Sequence, residues 1–285
     1  DEAQDLSPIQ WMMYDILKAN TKDMYLAGDD DQAIYAWAGA DVDRFIREPA
    51  TEVVLKKSRR VPRKVQDISN IIVNRIEGLR ADKTYYPREE DGLCEKINNL
   101  DNVDLTKDNW LILTRTRSKS VQIAKELKQR GIFFESKFFK SLNTKLHKAA
   151  VYYSRWTDGQ ELNQKEIDDV EDYMSDNNWN ELVPWFEAFD KANLEDKNYI
   201  RLLLSNKEKL SEPPRIKIST IHAAKGGESD NVLLVLDNAR KIRESVLKNV
   251  RKRDEEHRVW YVGVTRSRKN LYLMRAKIER YGYNL

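Results

Sequence analysis

The sequence of 285 residues has one cysteine, three histidines and no long apolar run. A single cysteine, Cys94, rules out an internal disulfide framework and is typical of a reducing compartment, so we expect a cytoplasmic location. One cysteine and three scattered histidines also predict no structural metal cluster. Because the sequence has neither a signal-like segment nor an apolar stretch of membrane length, secreted and membrane functions are not expected.

Charged residues are abundant but unevenly distributed along the chain. They make up 34% of the sequence, with a formal net charge of +3. Residues 56–64 carry six basic side chains and no acid, and 240–253 are nearly as basic, whereas 161–200 carry twelve acids against three lysines. A basic run is often only a solvated surface, but beside phosphate-binding motifs it favours contact with nucleic-acid phosphates.

Apolar strand patterns alternate with amphipathic helical patterns, which predicts an α/β fold. Predicted strands lie at 24–27, 53–55, 110–114, 216–221, 232–236 and 271–275. Helices are predicted to begin at Pro8, to bury one face between Val65 and Ile76, and to follow a cap at Ser118. Residues 138–212 break this alternation with short helical patterns and most of the acidic surplus, so they are predicted to form a helical insertion.

Five sequence segments indicate function. They are DEAQD at 1–5, GDDDQAIYAWAGA at 28–40, LKKSRRVP at 55–62, STIHAAKGGESDNVLLV at 219–235 and VWYVGVTRSRKNLYL at 259–273. In this order they resemble motifs II, III, IV, V and VI of the UvrD/Rep/PcrA-like branch of superfamily one DNA helicases. The resemblance covers nearly the whole chain except 138–212, and it implies two RecA-like domains with ATP bound between them.

The resemblance also implies a division of the chain. Residues 1–52 would be the C-terminal part of the first RecA-like domain (1A), 53–137 and 213–285 the two parts of the second (2A), and 138–212 a short 2B-like insertion. The family binds the triphosphate through a GxxxxGK[ST] loop that precedes motif II, and here no glycine is followed by lysine. We therefore expect the chain to start within domain 1A and to be inactive by itself.

Asp1 and Glu2 suit phosphoryl transfer to water, because Mg²⁺ prefers carboxylate oxygens and a second carboxylate orients or deprotonates the attacking water. The resemblance implies that Asp1 holds Mg²⁺ and that Glu2 is the catalytic base. It implies nucleotide contacts for Gln32 as the γ-phosphate sensor, Arg60 in motif IV, Gly226 and Glu228 in motif V, and Arg266 as the arginine finger. Arg59 adjoins Arg60, which leaves a second register open for motif IV.

The DNA-binding residues implied by the resemblance are Tyr35, Trp37, Thr220, His222 and Lys225. An exposed indole gives a base a sequence-independent stacking surface. Ala38 stands where the family has arginine, and Gly227 where it has leucine. Outside this motif context, Trp37 would be expected in a core and His222 would be an ordinary hydrogen-bonded histidine.

The resemblance implies an ATP-dependent DNA helicase that moves 3′-to-5′ on single-stranded DNA and opens duplex at junctions. A first alternative is a single-stranded-DNA-binding module without turnover. A second is a partner-docking or inactivated motor module of a helicase or helicase-nuclease complex. The role of the insertion at 138–212 stays open between a contact with protein partners, autoinhibition and a solvated helical surface. A third is an α/β domain with chance motif matches. The sequence leaves DNA repair, DNA replication, recombination and viral replication open as pathways.

Overall fold

The structure is a computed structural model that describes all 285 residues. It divides into two compact units, unit 1 with residues 1–120 and 219–285, and unit 2 with residues 121–218. The helices are α1 (Pro8–Ala19), α2 (Val42–Arg47), α3 (Arg63–Val73), α4 (Arg117–Gln129), α5 (Thr144–Thr157), α6 (Gln164–Glu171), α7 (Trp185–Ala188), α8 (Leu194–Ser205), α9 (Arg240–Lys248) and α10 (Val250–Val264). The strands are β1 (Leu93–Ile97), β2 (Trp110–Thr114), β3 (Phe134–Ser136), β4 (Ile216–Thr220), β5 (Ser229–Val235) and β6 (Ser267–Met274).

Unit 1 is built on a parallel sheet in which the strands lie in the order β1-β6-β5-β2. Every residue of β2 is buried, as expected for a parallel strand covered on both faces. Val65 and Ile72 of α3 and Trp260 of α10 share one core with Leu113 and Leu234 from the strands. Burial of each such side chain contributes about 1.5–3 kcal/mol, so α10 is anchored firmly to the sheet.

The α/β prediction is confirmed, and β2, β4, β5 and β6 lie where strands were predicted. The predicted strands at 24–27 and 53–55 are wrong, because neither segment pairs with a neighbouring strand. A strand needs such a neighbour to satisfy its backbone N–H and C=O groups, and Tyr25, Val53 and Leu55 are largely exposed. The predicted cap at Ser118 is also wrong.

The residue that caps α4 is Thr116, since its Oγ1 accepts a hydrogen bond from the Lys119 N–H at 3.4 Å. Helix α4 begins at Arg117, so Ser118 lies inside it. The cap therefore stands two residues earlier than the sequence predicted.

Unit 2 is mainly helical, and α5, α6, α7 and α8 lie within 138–212, while the assignment of these residues as a 2B-like insertion stays a prediction. Its core is an aromatic cluster in which the rings of Trp156 and Trp179 lie 4.8 Å apart and Tyr153 packs against Phe189 at 5.5 Å. The Tyr153 hydroxyl donates to the carbonyl of Asn180 at 2.9 Å, which satisfies a buried polar group.

No helix of the chain is both long and apolar enough to cross a membrane.

Candidate nucleotide and DNA site

Two motif segments of unit 1 lead into neighbouring parallel strands. Residues 226–228 precede β5 and Arg266 precedes β6, and the Ser229 N–H donates to the Arg266 carbonyl at 3.1 Å. Gly226 has a φ of 81°, in the left-handed region that glycine adopts without steric cost. Motifs V and VI are therefore fixed side by side at the amino ends of two central strands.

The position of α10 is set by a buried carboxylate, Glu256. Glu256 accepts hydrogen bonds from Arg115 Nη2 at 2.9 Å, Trp260 Nε1 at 2.7 Å and Asn238 Nδ2 at 2.9 Å. A buried charge that is paired and hydrogen-bonded in this way avoids the large desolvation penalty of an isolated ion. This network holds the helix that ends two residues before Arg266.

Arg266 is 1% exposed and contacts motif III directly. Its Nη2 donates to Gln32 Oε1 at 3.1 Å, and its Nε and Nη1 donate to the carbonyls of Val262 at 3.0 Å and Gly227 at 3.3 Å. Burial lowers the pKa of Arg266 to about 10, and the nearby Arg60 adds to this effect. The side chain stays charged at neutral pH and is held by neutral oxygens rather than by a carboxylate, which suits a group that receives an anion.

Lys225 joins the acidic motif II to motif III. Its ammonium lies 3.1 Å from Glu2 Oε2, forms an ion pair with Asp5 and donates to the Gln32 carbonyl at 3.0 Å. Its side chain is 7% exposed, so in this arrangement it faces the acidic group and not an open surface. The DNA contact implied for Lys225 stays a prediction.

Glu2 has an unusual backbone conformation and an ionised side chain. Its φ of 56° lies in the left-handed region, which costs a non-glycine residue about 1–2 kcal/mol. Burial raises the pKa of Glu2, but the hydrogen bonds from Gln4 and Lys225 outweigh burial and lower the pKa below its usual range. Glu2 is therefore a carboxylate at neutral pH, as a general base requires.

Arg60 lies in a cavity of about 1120 Å³, which is also lined by Gln32, Lys83, Glu228, Tyr261 and Thr265. Its Nε is 3.7 Å from Glu228 Oε2, yet this buried atom has no hydrogen-bond partner. An unsatisfied buried donor in a cavity is costly unless a ligand accepts its hydrogen bond. Arg59 lines the same cavity, so both registers of motif IV stay open.

Arg60 in this cavity, together with Asp1 and Arg266, which are not among the residues that line it, fits a magnesium triphosphate. The unsatisfied donor of Arg60 and the carbonyl-held Arg266 suit phosphate oxygens. Asp1 is exposed, and its Oδ1 accepts a hydrogen bond from the Glu2 N–H at 2.8 Å. No three acidic, histidine or cysteine side chains of the chain converge on one metal position, but Mg²⁺ is commonly held by one or two carboxylates with phosphates and waters.

Tyr35, Trp37 and His222 form an aromatic cluster on the surface of unit 1. The ring centroids of Trp37 lie 6.2 Å from Tyr35 and 6.5 Å from His222, and Trp37 is 71% exposed. The Tyr35 hydroxyl donates to the His222 carbonyl at 3.0 Å, which ties motif III to motif V. Thr220 lies beside this cluster in sequence, and its Oγ1 accepts from the Ala223 N–H at 3.3 Å. An open indole of this kind is available for stacking.

His222 is expected to make the free energy of unfolding depend on pH. Burial lowers its pKa to about 4, with Arg115 as a further cause, from an ordinary 6.5. Between pH 6.5 and pH 4, His222 binds a proton in the unfolded chain but not in the folded chain. The contribution of His222 to the free energy of unfolding is therefore complete above pH 6.5 and decreases as the pH falls towards 4.

Urea unfolding at pH 7 and pH 5 tests this dependence. We expect His222→Gln to lose less stability than the unmodified chain between the two pH values. Equal losses in both proteins would contradict the assignment of a low pKa to His222.

Sequence reasoning missed the residues that hold the acidic turn of motif III. Asp29, Asp30 and Asp31 contact Lys83 and Arg80, which lie about fifty positions later in the chain. Three consecutive aspartates gave one usable signal, because carboxylates that become buried need cationic partners. The sequence offers 50 lysines and arginines, and no pattern identifies the two that pair.

Together, the parallel α/β sheet and the placement of motifs II to VI define a helicase fold of the RecA-like class. Residues 144–277 match the UvrD-like helicase C-terminal domain, and residues 1–51 match the UvrD/REP helicase N-terminal domain. The chain belongs to the UvrD/Rep/PcrA-like helicases.

Several curated relatives are similar to parts of the chain. A probable DNA helicase II homolog from Rickettsia felis is 23% identical, over 100% of this chain and 61% of its own length. An ATP-dependent DNA helicase PcrA from Leuconostoc citreum is 24% identical, over 61% of this chain and 24% of its own length. DNA helicase II of Escherichia coli is 32% identical, over 30% of this chain and 12% of its own length. The chain thus spans less than two thirds of these relatives.

Proposed function

We propose that the chain belongs to an ATP-dependent DNA helicase and supplies the residues that close on the nucleotide and grip single-stranded DNA. The observation that carries the proposal is the contact of Arg266 with Gln32 beside Glu2. These three side chains come from motifs VI, III and II, and a phosphohydrolase needs a cation, a polar sensor and a base at one place. Movement 3′-to-5′ and opening of duplex junctions belong to the same proposal.

Each side chain has a role that its chemistry supports. Glu2 accepts a proton from the attacking water, and Arg60 and Arg266 neutralise negative charge on phosphate oxygens. The side-chain oxygen of Gln32 accepts a hydrogen bond from Arg266. The side-chain NH₂ group has two N–H donors, and one of them is available to a phosphate oxygen. Asp1 would hold Mg²⁺, while Gly226 and Glu228 would contact the nucleotide. ATP with Mg²⁺ supplies the transferred phosphoryl group and the free energy of hydrolysis.

Coupling to DNA would pass through the aromatic cluster. Tyr35 lies three residues after Gln32, and its hydroxyl holds the backbone of His222. A shift of the Gln32 loop would therefore be passed through Tyr35 to His222 and to the adjacent Trp37. Alternating stacking on these side chains is how the protein would step along a strand without reading its sequence.

The test is ATP hydrolysis stimulated by single-stranded DNA. It is measured on this chain and on the extended chain, a version lengthened upstream to carry a GxxxxGK[ST] loop. We expect activity in the extended chain only. Absence of hydrolysis in the extended chain, with DNA binding retained, would contradict the proposal and favour a binding module without turnover.

Trp37→Ala is expected to weaken binding of single-stranded DNA by about 5- to 150-fold, because stacking of a base on an aromatic ring contributes about 1–3 kcal/mol. The unfolding midpoint should not change, since the indole is mostly exposed. Fluorescence anisotropy with a labelled oligonucleotide at fixed salt measures the effect. Tyr25→Ala removes another exposed aromatic side chain and should leave the affinity unchanged. An unaltered dissociation constant for Trp37→Ala would rule out the stacking role.

The domain division remains part of the proposal. In it, residues 1–52 belong to domain 1A, 53–137 and 213–285 to domain 2A, and 138–212 to a short 2B-like insertion. The acidic surface of the insertion makes it a candidate contact for basic protein partners.

A further inference from the structure

The acidic turn of motif III is buried. Asp29, Asp30 and Asp31 lie in and before a single 3₁₀ turn, and the side chains of Asp30 and Asp31 are 1% and 0% exposed. Buried carboxylates are strongly destabilising unless cations and hydrogen bonds compensate them. The partners of this turn are therefore essential to its conformation.

Lys83 is the cation that all three carboxylates share. Its Nζ lies 2.7 Å from Asp29 Oδ1 and 3.4 Å from Asp31 Oδ2, and it also forms an ion pair with Asp30. Its side chain is 5% exposed. Burial by itself lowers the pKa of Lys83, but attraction by Asp29, Asp31 and Asp30 raises the pKa above its ordinary value. The ammonium is thus charged, and ion pairs hold it against this turn.

Each aspartate of the turn also accepts from a donor other than Lys83, and for Asp29 Oδ1 that donor is the Asp31 N–H at 3.1 Å. Arg80 forms a bidentate pair with Asp31, with Nε and Nη2 donating at 2.7 and 2.9 Å. The Ala81 N–H donates to Asp30 Oδ2 at 3.1 Å. Asp29 receives its single side-chain cation from Lys83.

Asp29 fixes the side-chain amide of Gln32. Gln32 Nε2 donates to Asp29 Oδ2 at 2.8 Å, while Gln32 Oε1 accepts from Arg266 Nη2 at 3.1 Å. A carboxylate only accepts and a guanidinium only donates, so these two neighbours permit one orientation of the amide. Reversing it would place a donor against Arg266 and an acceptor against Asp29.

We propose that Lys83 is a positioning residue which, through Asp29, orients the amide of Gln32 so that its oxygen faces Arg266. The inference rests on the proposed function, because the oriented amide matters only where Gln32 and Arg266 serve hydrolysis. The ion pairs of Lys83 are with Asp29, Asp30 and Asp31, so it acts on Gln32 through the carboxylate of Asp29. In the proposed domain division, Lys83 belongs to domain 2A and Asp29 to domain 1A, so the orientation is set only when these segments are in contact.

A spectroscopic test uses the chain itself with ¹⁵N-labelled glutamine side chains. The chain has eight glutamines, and the Gln32 amide signal is assigned by its loss in Gln32→Glu. We expect Lys83→Met to shift this signal and to speed its exchange with water on the order of tenfold. Lys83→Arg should retain the signal of the unmodified chain, and Lys107→Met, which removes a lysine from an exposed ion pair with Asp104, should leave it unchanged.

Asp29→Asn provides a second variant that changes packing less. The new amide offers a donor as well as an acceptor, so the Gln32 amide is no longer restricted to one orientation, and the same shift is expected. An unchanged Gln32 signal in folded Lys83→Met or Asp29→Asn would overturn the inference.

Kinetics of the extended chain separate positioning from simple stabilisation. We expect Lys83→Met to lower kcat on the order of tenfold with little change in KM for ATP, and to have no further effect in a Gln32→Ala background. Additive losses in the double variant, or a normal kcat for Lys83→Met, would overturn the inference alone. If the unmodified extended chain does not hydrolyse ATP, the proposed function fails, and the spectroscopic test still decides the orientation.

Discussion

Arg266→Ala is expected to reduce DNA-stimulated ATP hydrolysis by the extended chain about 10³-fold or more, the usual effect of losing an arginine finger. This corresponds to about 4 kcal/mol of transition-state stabilisation. The effect should be large because Arg266 is buried with a lowered pKa and has only neutral oxygens as partners. A cation in such a site interacts strongly with an arriving phosphate.

Single-turnover measurements at saturating ATP would determine the loss, because they separate chemistry from product release. Arg266→Lys keeps the charge but not the planar geometry, and we expect it to recover only part of the rate. Lys269→Ala removes an exposed cation three residues later and should behave like the unmodified chain. A normal rate in folded Arg266→Ala would show that another cation, with Arg60 as the first candidate, performs this function.

The central strands and motif residues could be predicted because their signals are local. Strand β2 and the second halves of β5 and β6 are apolar runs, and such runs identify buried parallel strands without knowledge of the partner. Strand β1 was not predicted because Glu95 and Lys96 interrupt its apolar pattern. It is an edge strand that pairs only with β6, and an edge strand tolerates charged residues. The segments at 24–27 and 53–55 have the composition of strands but lack a partner.

The connections within the site could not be predicted, since they depend on which distant side chains meet. Motif resemblance selected Gln32 and Arg266 separately, but their hydrogen bond joins residues 234 positions apart. Lys83 had no motif to mark it, and its function depends on burial that composition does not reveal. Exposure was likewise not predictable for Trp37, because only the fold determines that its ring faces solvent next to His222.

Glu2→Gln is expected to lower kcat of the extended chain by about 10²–10⁴-fold, because a positioned general base contributes a factor of that size. The amide keeps the shape of the side chain, and it can still accept a hydrogen bond from Lys225. ATP affinity should therefore change little, so that the defect lies in the chemical step. Asp23→Asn, at an exposed carboxylate of the same unit, is the matched control and should leave kcat unchanged.

The pH dependence of kcat distinguishes a base from a carboxylate that only binds the metal or Lys225. Hydrogen bonds from Gln4 and Lys225 outweigh burial and keep the pKa of Glu2 below its ordinary 4.5. Because the base works when deprotonated, the rate should be independent of Glu2 titration at neutral pH and should decrease only as the pH falls below 4.5. Glu2→Gln should lose this acid limb, since it has no proton to gain. An acid limb that persists in the variant, or a defect confined to KM, would assign Glu2 to binding and leave the base to be found elsewhere.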